Sequence, residues 1–219
     1  MHGWASTCSL EDLLTLNASL VRIAGTGEVS LAPPGTPEPS DPTTPLTAAW
    51  TGLGLTTSDG VTVSRKVEKD GTESWQMLSP ARYIYKSQEF TVKSVFQESK
   101  AAVLSAYFGG LTFAPTAAGS KLYRAEFSSI PRSDVRALCV DWTDQVSATE
   151  IYHHRLYVPR AEVSDTDDAQ WSRSQENRWG MTFSALSPIG TTTTLAVWLT
   201  DDPAVMLTPP TQSGGGGGS

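Results

Sequence analysis

The sequence has 219 residues, of which 39% are hydrophobic and 18% charged, a composition that supports one large or two small folded domains. Its 23 acidic and 16 basic residues give a net charge of −7, the wrong sign for a protein that grips nucleic acid by its phosphates. No apolar run approaches the roughly 20 residues of a membrane-spanning helix, and the first residues lack a signal-peptide layout, so we expect neither a membrane protein nor a classically secreted one.

The cysteines and the overall composition indicate which kinds of protein and which fold class to expect. Cys8 and Cys139 lie in unrelated contexts without metal-ligand spacing, which favours free thiols over a disulfide or a catalytic nucleophile. The 18 glycines and 14 prolines, together with abundant Thr and Ser, favour strands and long connections over helices. We therefore predict a mainly β protein.

The amino-terminal part combines a short helix, a strand and a proline-rich loop. Ser9 can cap an amphipathic helix within residues 1–20, and residues 21–31 have the character of a strand. Residues 32–45 contain six prolines and cannot join a sheet ladder. They could link two domains, but too few residues precede them for an independent core, so we favour an arm that packs against its surroundings.

A β-hairpin is predicted around Asp70-Gly71, a dipeptide preferred in two-residue turns. Its strands would span residues 61–69 and 72–78, with Pro80 ending the second. A mildly basic hairpin on an acidic body suits head-to-tail self-association, although an ordinary mixed surface accounts for the same charges. The hairpin is expected to project because its outer residues are charged: Arg65, Lys66, Glu68, Lys69, Asp70 and Glu73.

The rest of the chain has the period of two that is typical of strands, interrupted by one helix. The helix is predicted over residues 99–108, with Ser99 as its cap and Gly109-Gly110 as its stop. Trp142, Trp179 and Trp198 fall at phases that favour a core or an interface over a sugar-binding platform. Strands are predicted at residues 82–97, 122–128, 135–142, 151–158, 179–186 and 193–200.

Motifs for catalysis or ligand binding are incomplete. Gly52-Leu53-Gly54 lacks the third glycine of a dinucleotide-binding fingerprint, and residues 165–176 resemble a calcium loop in which Ala169 and Gln170 replace a ligand and the turn glycine. Neighbouring His153 and His154 point to opposite faces of a strand, which disfavours a shared metal. We expect no enzymatic activity, no metal and no cofactor. The glycine-rich end is a flexible linker by composition.

Four segments carry a resemblance to a known family. They are VRIAGTGEVSLAPPGTPEPSDP at residues 21–42, WTGLGLTTSDGVTVS at residues 50–64, ARYIYKSQEFTVKSVFQES followed by the AAVLSAYFGG helix, and RLYVPRAEV at residues 155–163. In combination they resemble the major tail tube protein of long-tailed, non-contractile bacteriophages. The resemblance implies a β-sandwich or half-barrel with one flanking α-helix, extended arms and a projecting hairpin, which closes a β-barrel tube when six subunits form a ring.

The resemblance covers about residues 21–200 and the two ends depart from it, so we divide the chain and its surfaces as follows. Residues 1–20 would form an arm, residues 21–202 the tail tube domain and residues 203–219 a tail with a linker. Within the domain, residues 60–79 would be an inter-ring hairpin containing the six charged residues named above. The subunit-contact arm would include Pro33, Pro34, Pro37 and Pro39. If the strands at 82–97 and 179–186 form the barrel, the lumen-facing candidates are Glu89, Thr91, Lys93, Glu176, Thr182 and Ser184.

Partners and location also follow from the resemblance. The subunit would associate with itself in stacked hexameric rings, around a tape-measure protein during assembly, with tail terminator and distal tail proteins at the ends. DNA would pass through without specific binding, and no membrane would be involved. The protein would be assembled in the host cytoplasm and reside in the virion tail. The alternative is a β-sandwich carbohydrate-binding or adhesion module, in which exposed tryptophans line a groove.

Overall fold

A computed structural model describes residues 20–190 and 193–206 of the chain. The helix expected within residues 1–20, Cys8 and the glycine-rich end lie outside these ranges. The described residues form ten strands, one α-helix and a short 3-10 helix at Pro203–Met206. Their bounds are β1 Thr26–Ala32, β2 Thr51–Gly52, β3 Thr56–Ser74, β4 Met77–Phe96, α1 Ala101–Tyr107, β5 Ala114–Pro115, β6 Tyr123–Arg124, β7 Arg136–Gln145, β8 Ile151–Thr166, β9 Trp179–Ala185 and β10 Val197–Thr200.

The prediction of a mainly β protein with one α-helix is confirmed, although several strands differ in length. β8 continues beyond the predicted residue 158 to Thr166, and β1 begins only at Thr26. The strand predicted at residues 122–128 is reduced to Tyr123–Arg124, because its only sheet partner in the described chain is the two-residue β5. The strand predicted at 193–200 begins at Val197, where pairing with Tyr157 begins. No helix in the described part of the chain is long and apolar enough to cross a membrane.

One antiparallel sheet organises the fold in the order β2-β1-β7-β8-β9-β4-β3, with β10 added to β8. The first half of β8 pairs with β7 and β10, and its second half pairs with β9. Two register shifts interrupt the pairing of β8, one near Pro159 and one between Val163 and Asp165. Such bulges bend a strand, so β8 connects two differently directed parts of the sheet. Within the described residues the sheet does not close into a barrel.

The core lies where these two parts of the sheet meet α1. Side chains from β1, β4, β7, β8, β9 and α1 form one buried cluster, in which Phe96, Leu138 and Val103 are fully buried. Along the part of β4 that pairs with β9, buried Val92, Ser94 and Phe96 alternate with more exposed residues, as a strand with one buried face requires. Because Val92 lies directly opposite Phe183, and Phe96 opposite Trp179, the pairing of β4 with β9 aligns their apolar faces.

Helix α1 starts differently from the prediction and ends as predicted. Its N-cap is Lys100 without a side-chain cap hydrogen bond, so the prediction of a Ser99 cap is wrong. Ser99 Oγ instead accepts a hydrogen bond from the indole Nε1 of buried Trp179 at 3.1 Å. Gly109 and Gly110 have positive φ angles of 67° and 85°, the left-handed conformation that ends many helices.

The hairpin formed by β3 and β4 is longer than predicted, and the turn predicted at Asp70-Gly71 is wrong. The strands continue through this dipeptide, with Asp70 opposite Ile84 and Gly71 opposite Tyr83, and the turn lies at Trp75 and Gln76. Pro80 therefore lies within β4 and does not end it. A Cβ atom on Gly71 would lie only 2.8 Å from the Pro80 ring, so this glycine provides room for cross-strand contact.

Replacing the fully buried Phe96 should test the position of the core. We expect Phe96→Ala to lower the free energy of unfolding by about 3–5 kcal/mol, because the cavity loses both transfer energy and packing. Urea unfolding followed by tryptophan fluorescence measures this change. The matched control Leu122→Ala, at a position that is 66% exposed, should change stability by less than about 0.5 kcal/mol. Equal losses in the two variants would contradict this description of the core.

Candidate assembly surfaces

The outer part of the long hairpin, residues 62–89, is named here the hairpin arm. Nearly all of its described side chains are exposed, on both faces of the two strands. β9 pairs with β4 only from Thr91 to Phe96, so the sheet supports the base of the hairpin and ends before the arm begins. At a rise of about 3.3 Å per residue, the arm extends roughly 40 Å from that base.

Large apolar side chains are exposed along the hairpin arm. Trp75 at the turn is 98% exposed, and Leu78 beside it is fully exposed. Tyr83 and Tyr85 are 60% and 70% exposed on the second strand. A two-stranded hairpin is only marginally stable in water, and exposed apolar side chains of this kind mark interaction surfaces. The arm therefore has the properties of a contact surface for another chain.

The six charged residues predicted for the hairpin all lie on β3 within the arm, and several have cross-strand contacts. Lys86 Nζ lies 2.7 Å from Asp70 Oδ2, and Ser87 Oγ donates to Glu68 Oε2 at 3.1 Å. Arg65 Nη2 donates to Gln88 Oε1 at 3.2 Å, and Lys69 Nζ lies 5.2 Å from the centre of the Tyr85 ring. These contacts brace the two strands against each other. The inter-ring role of the residues stays a prediction.

The residues predicted to face a lumen lie on one surface, named here the polar face. Thr91 is directly opposite Ser184, and Lys93 is directly opposite Thr182. Glu89 follows the same alternation on β4. Glu176 lies in the connection before β9 and accepts a hydrogen bond from Gln97 Nε2 at 3.3 Å. The structure thus brings the candidates together, while their role at a lumen stays a prediction.

The polar face also includes residues of β8 and the following loop that were not predicted from the sequence. Ser184 Oγ donates to Ser164 Oγ at 2.7 Å, and Glu162 lies opposite Ser184. Lys93 Nζ lies 2.8 Å from Asp167 Oδ1, and this carboxylate raises the pKa of Lys93 by hydrogen bonding and charge attraction. The sequence of residues 165–176 resembles an incomplete calcium loop and carries no signal that Asp167 faces β4.

Glu176 has a second close partner on this surface. Arg178 donates to Glu176 Oε1 from Nε at 2.9 Å and from Nη2 at 2.8 Å. The pKa of Glu176 is lowered, first by a hydrogen bond from its own backbone amide, then by the hydrogen bonds from Arg178 and Gln97. These hydrogen bonds favour the charged form of Glu176.

The proline-rich loop, residues 32–45, is anchored to its own sheet. The guanidinium of buried Arg155 donates to the carbonyl oxygens of Asp41 and Thr44 at 2.7 and 2.9 Å, and to both carboxylate oxygens of Asp141. Tyr157 Oη donates to the carbonyl of Thr36 at 2.7 Å. The outer surface of the loop carries Pro33, Pro34 and Pro37, which are exposed, and Pro39, which is half-buried. Their contact with another subunit stays a prediction.

A second polar cluster joins the two ends of the described chain. Arg22 donates to both carboxylate oxygens of buried Asp202, at 2.6 and 2.9 Å, and its Nε lies 3.7 Å from Asp144. Hydrogen bonding by Arg22 lowers the pKa of Asp202 to about 2. His153 Nδ1 hydrogen-bonds Asp201 at 2.9 Å. These contacts fasten the residues after β10 to the segment before β1.

A sugar-binding module would need exposed tryptophans that line a groove, so the burial of the aromatic residues tests this alternative. His154 is buried and stacks on Trp142, and burial lowers its pKa. Trp179 is buried as its phase predicts, whereas Trp198 is 60% exposed at the free edge of β10. A cavity of about 890 Å³ lies beside the end of α1, and the described residues that line it include Phe108 and Phe127 but no tryptophan. The described chain holds no group of histidine, cysteine and acidic residues suited to a metal.

The described chain is thus an antiparallel sheet with one flanking helix and a long exposed hairpin. The sequence model of one family, described as phage tail tube protein, matches residues 14–211. This protein therefore belongs to the phage tail tube protein family, which makes it a structural component of the virion tail. The resemblance to tail tube proteins is thus confirmed. No curated protein matches the chain.

The pairing of Arg22 with Asp202 predicts a loss of stability in acid. The folded-state pKa of Asp202 is lowered, so the pair stabilises the fold fully above the ordinary aspartate range, and this contribution disappears as the pH falls from about 4 to about 2. We expect Asp202→Asn to lower the free energy of unfolding by about 1.5–3 kcal/mol at pH 7 and to match the wild type near pH 2. Urea unfolding across this pH range tests the convergence. Asp59→Asn, at an exposed acid, is the control and should follow the wild type at every pH.

Proposed function

We propose that the protein assembles into hexameric rings that stack into the phage tail tube, the conduit through which DNA passes to the host. The observation that carries this proposal is the hairpin arm. It extends roughly 40 Å beyond the sheet that supports its base and exposes Trp75 and Leu78 near its turn. The described residues of the same chain do not bury these side chains, so we propose another subunit in the next ring as their partner.

Ring closure is supported by the edges of the sheet. Along the described chain, β3 pairs only with β4, and β10 pairs only with β8, so each strand leaves one row of backbone groups unpaired. Unpaired edges invite further strands, and a closed barrel removes them. Six subunits that pair along such edges would form a continuous wall around a channel.

The polar face is proposed as the inner surface of that wall. Opposite to it, β4 and β9 pack into the core, so this face is free to contact water. Acidic residues outnumber basic ones on the parts of the face formed by β4, β8, β9 and the adjoining loop. The acids are Glu89, Glu162, Asp165, Asp167 and Glu176, and the bases include Lys93 and Arg178. Such a wall repels phosphates, so that DNA slides without specific binding.

The remaining partners follow from the same assembly. A tape-measure protein would occupy the channel while the tube grows in the host cytoplasm, and tail terminator and distal tail proteins would cap its ends. The proline-rich loop, fixed by Arg155 and Tyr157, would present its outer surface to a neighbouring subunit.

Shortening the hairpin arm tests the proposed stacking. Because Glu68 is paired with Ser87, replacing residues 69–86 by Asn-Gly joins the strands through a favoured turn and leaves the base intact. We expect a folded subunit, by circular dichroism and thermal unfolding, that forms no tubes in negative-stain microscopy. The point variant Trp75→Ser should also weaken stacking, whereas Leu122→Ser, at another exposed apolar position, should leave it unchanged. Normal tubes from the shortened subunit would refute the role of the arm.

A further inference from the structure

Two cations of the polar face, Lys93 and Arg178, are each paired with a carboxylate. Lys93 Nζ lies 2.8 Å from Asp167 Oδ1, and Arg178 Nη2 lies 2.8 Å from Glu176 Oε1. All four side chains are about half exposed, so solvent and large ligands can reach them. Ion pairs at such exposure add little to the stability of the fold. Their main effect is therefore on the charge of the surface.

Asp167 is fixed toward Lys93 by contacts that involve its backbone. Its amide N–H donates to the Gly180 carbonyl at 3.0 Å, and its carbonyl accepts from Tyr107 Oη at 2.6 Å. Its side chain lies directly over Gly180, where a Cβ atom would be 2.2 Å from Asp167 Oδ2. Only glycine leaves this space for the carboxylate. The carboxylate is therefore held beside β4 before any partner arrives.

Glu176 is held in a comparable way. It accepts from Arg178 through two guanidinium nitrogens and from Gln97 Nε2, which projects from the end of β4. Two further cations lie around the face. Lys66 is directly opposite Glu89 in the strand register, and Arg160 Nη1 donates to the carbonyl of Ser187.

We propose that Asp167 and Glu176 mask Lys93 and Arg178, so that the polar face cannot bind the phosphates of a nucleic acid. A lysine or arginine binds DNA mainly by neutralising a phosphate and releasing counterions, and each such contact steepens the salt dependence of binding. A cation already neutralised by a fixed carboxylate gains little from a phosphate. The purpose of the masking rests on the proposed function, since a DNA conduit must not retain its cargo.

The test removes the two masking charges without changing side-chain size. We expect Asp167→Asn with Glu176→Gln to bind a short fluorescein-labelled DNA duplex at least about tenfold more tightly than the wild type at 50 mM salt. The slope of log affinity against log salt should steepen by about 2, because two phosphate contacts become possible. Fluorescence anisotropy between about 50 and 200 mM salt measures both quantities. Unchanged affinity and slope would refute the masking.

A matched variant separates masking from net charge. Asp70→Asn with Glu126→Gln makes the same change in net charge and releases Lys86 and Arg124, which lie on the hairpin arm and on β6. It should steepen the salt slope by at most about 1, because the two cations are far apart in the fold. Equal DNA binding by the two double variants would show that only net charge matters and would overturn the proposal.

A third variant tests whether Lys93 makes one of the new phosphate contacts. Adding Lys93→Gln to the Asp167→Asn, Glu176→Gln variant should reduce the salt slope by about 1, and a failure to do so would also count against the proposal. Thermal unfolding verifies that each variant is folded. The single variant Glu176→Gln, in the exposed loop, changes the structure less than the double variant does.

Tube formation is measured separately, by negative-stain microscopy. Wild-type protein without tubes would count against the proposed function, whereas unchanged DNA binding counts only against the masking.

Discussion

The alternation of side chains along β4 and β9 is the constraint on which the rest of the structure depends. Val92 and Phe96 of β4 pack into the core opposite Phe183 and Trp179 of β9. Because successive residues of a strand point to opposite sides, burial of these side chains forces Thr91, Lys93 and Thr182 outward. The core thus determines the composition of the polar face, and a shift of one residue in register would exchange the two.

The same two strands lose this constraint where β3 and β4 leave the core. Beyond the last pairing with β9, neither face of the hairpin arm is buried, and the arm is held by its own backbone ladder and a few cross-strand side-chain contacts. A ladder of two strands is weak in water, yet this one exposes Trp75, Tyr83 and Tyr85. Association with another subunit would bury these side chains, so folding of the arm and assembly would reinforce each other.

Polar contacts over long sequence distances position the loops around this framework. Buried Arg155 fixes the proline-rich loop through the backbone of Asp41 and Thr44, and Asp167 joins α1 to β4 through Tyr107 and Lys93. Burying a guanidinium is costly unless its donors are satisfied, and the Asp141 carboxylate and two carbonyls satisfy those of Arg155. These contacts fix the loops to the sheet, so the outer surfaces of the loops are held in defined positions.

Features that depend on neighbouring residues were predictable from the sequence. Composition predicted the mainly β fold, a period of two predicted the strand faces of Thr91, Lys93, Thr182 and Ser184, and paired glycines predicted the end of α1. The position of the hairpin turn, the role of Ser99 and the partner of Lys93 depend on tertiary contacts. The turn lies at Trp75 and Gln76, because strand pairing continues through Asp70 and Gly71. Ser99 accepts a hydrogen bond from Trp179 instead of capping the helix, and Asp167 reaches Lys93 from 74 residues away. Such choices depend on which distant groups the folded sheet brings together, and local periodicity carries no record of them.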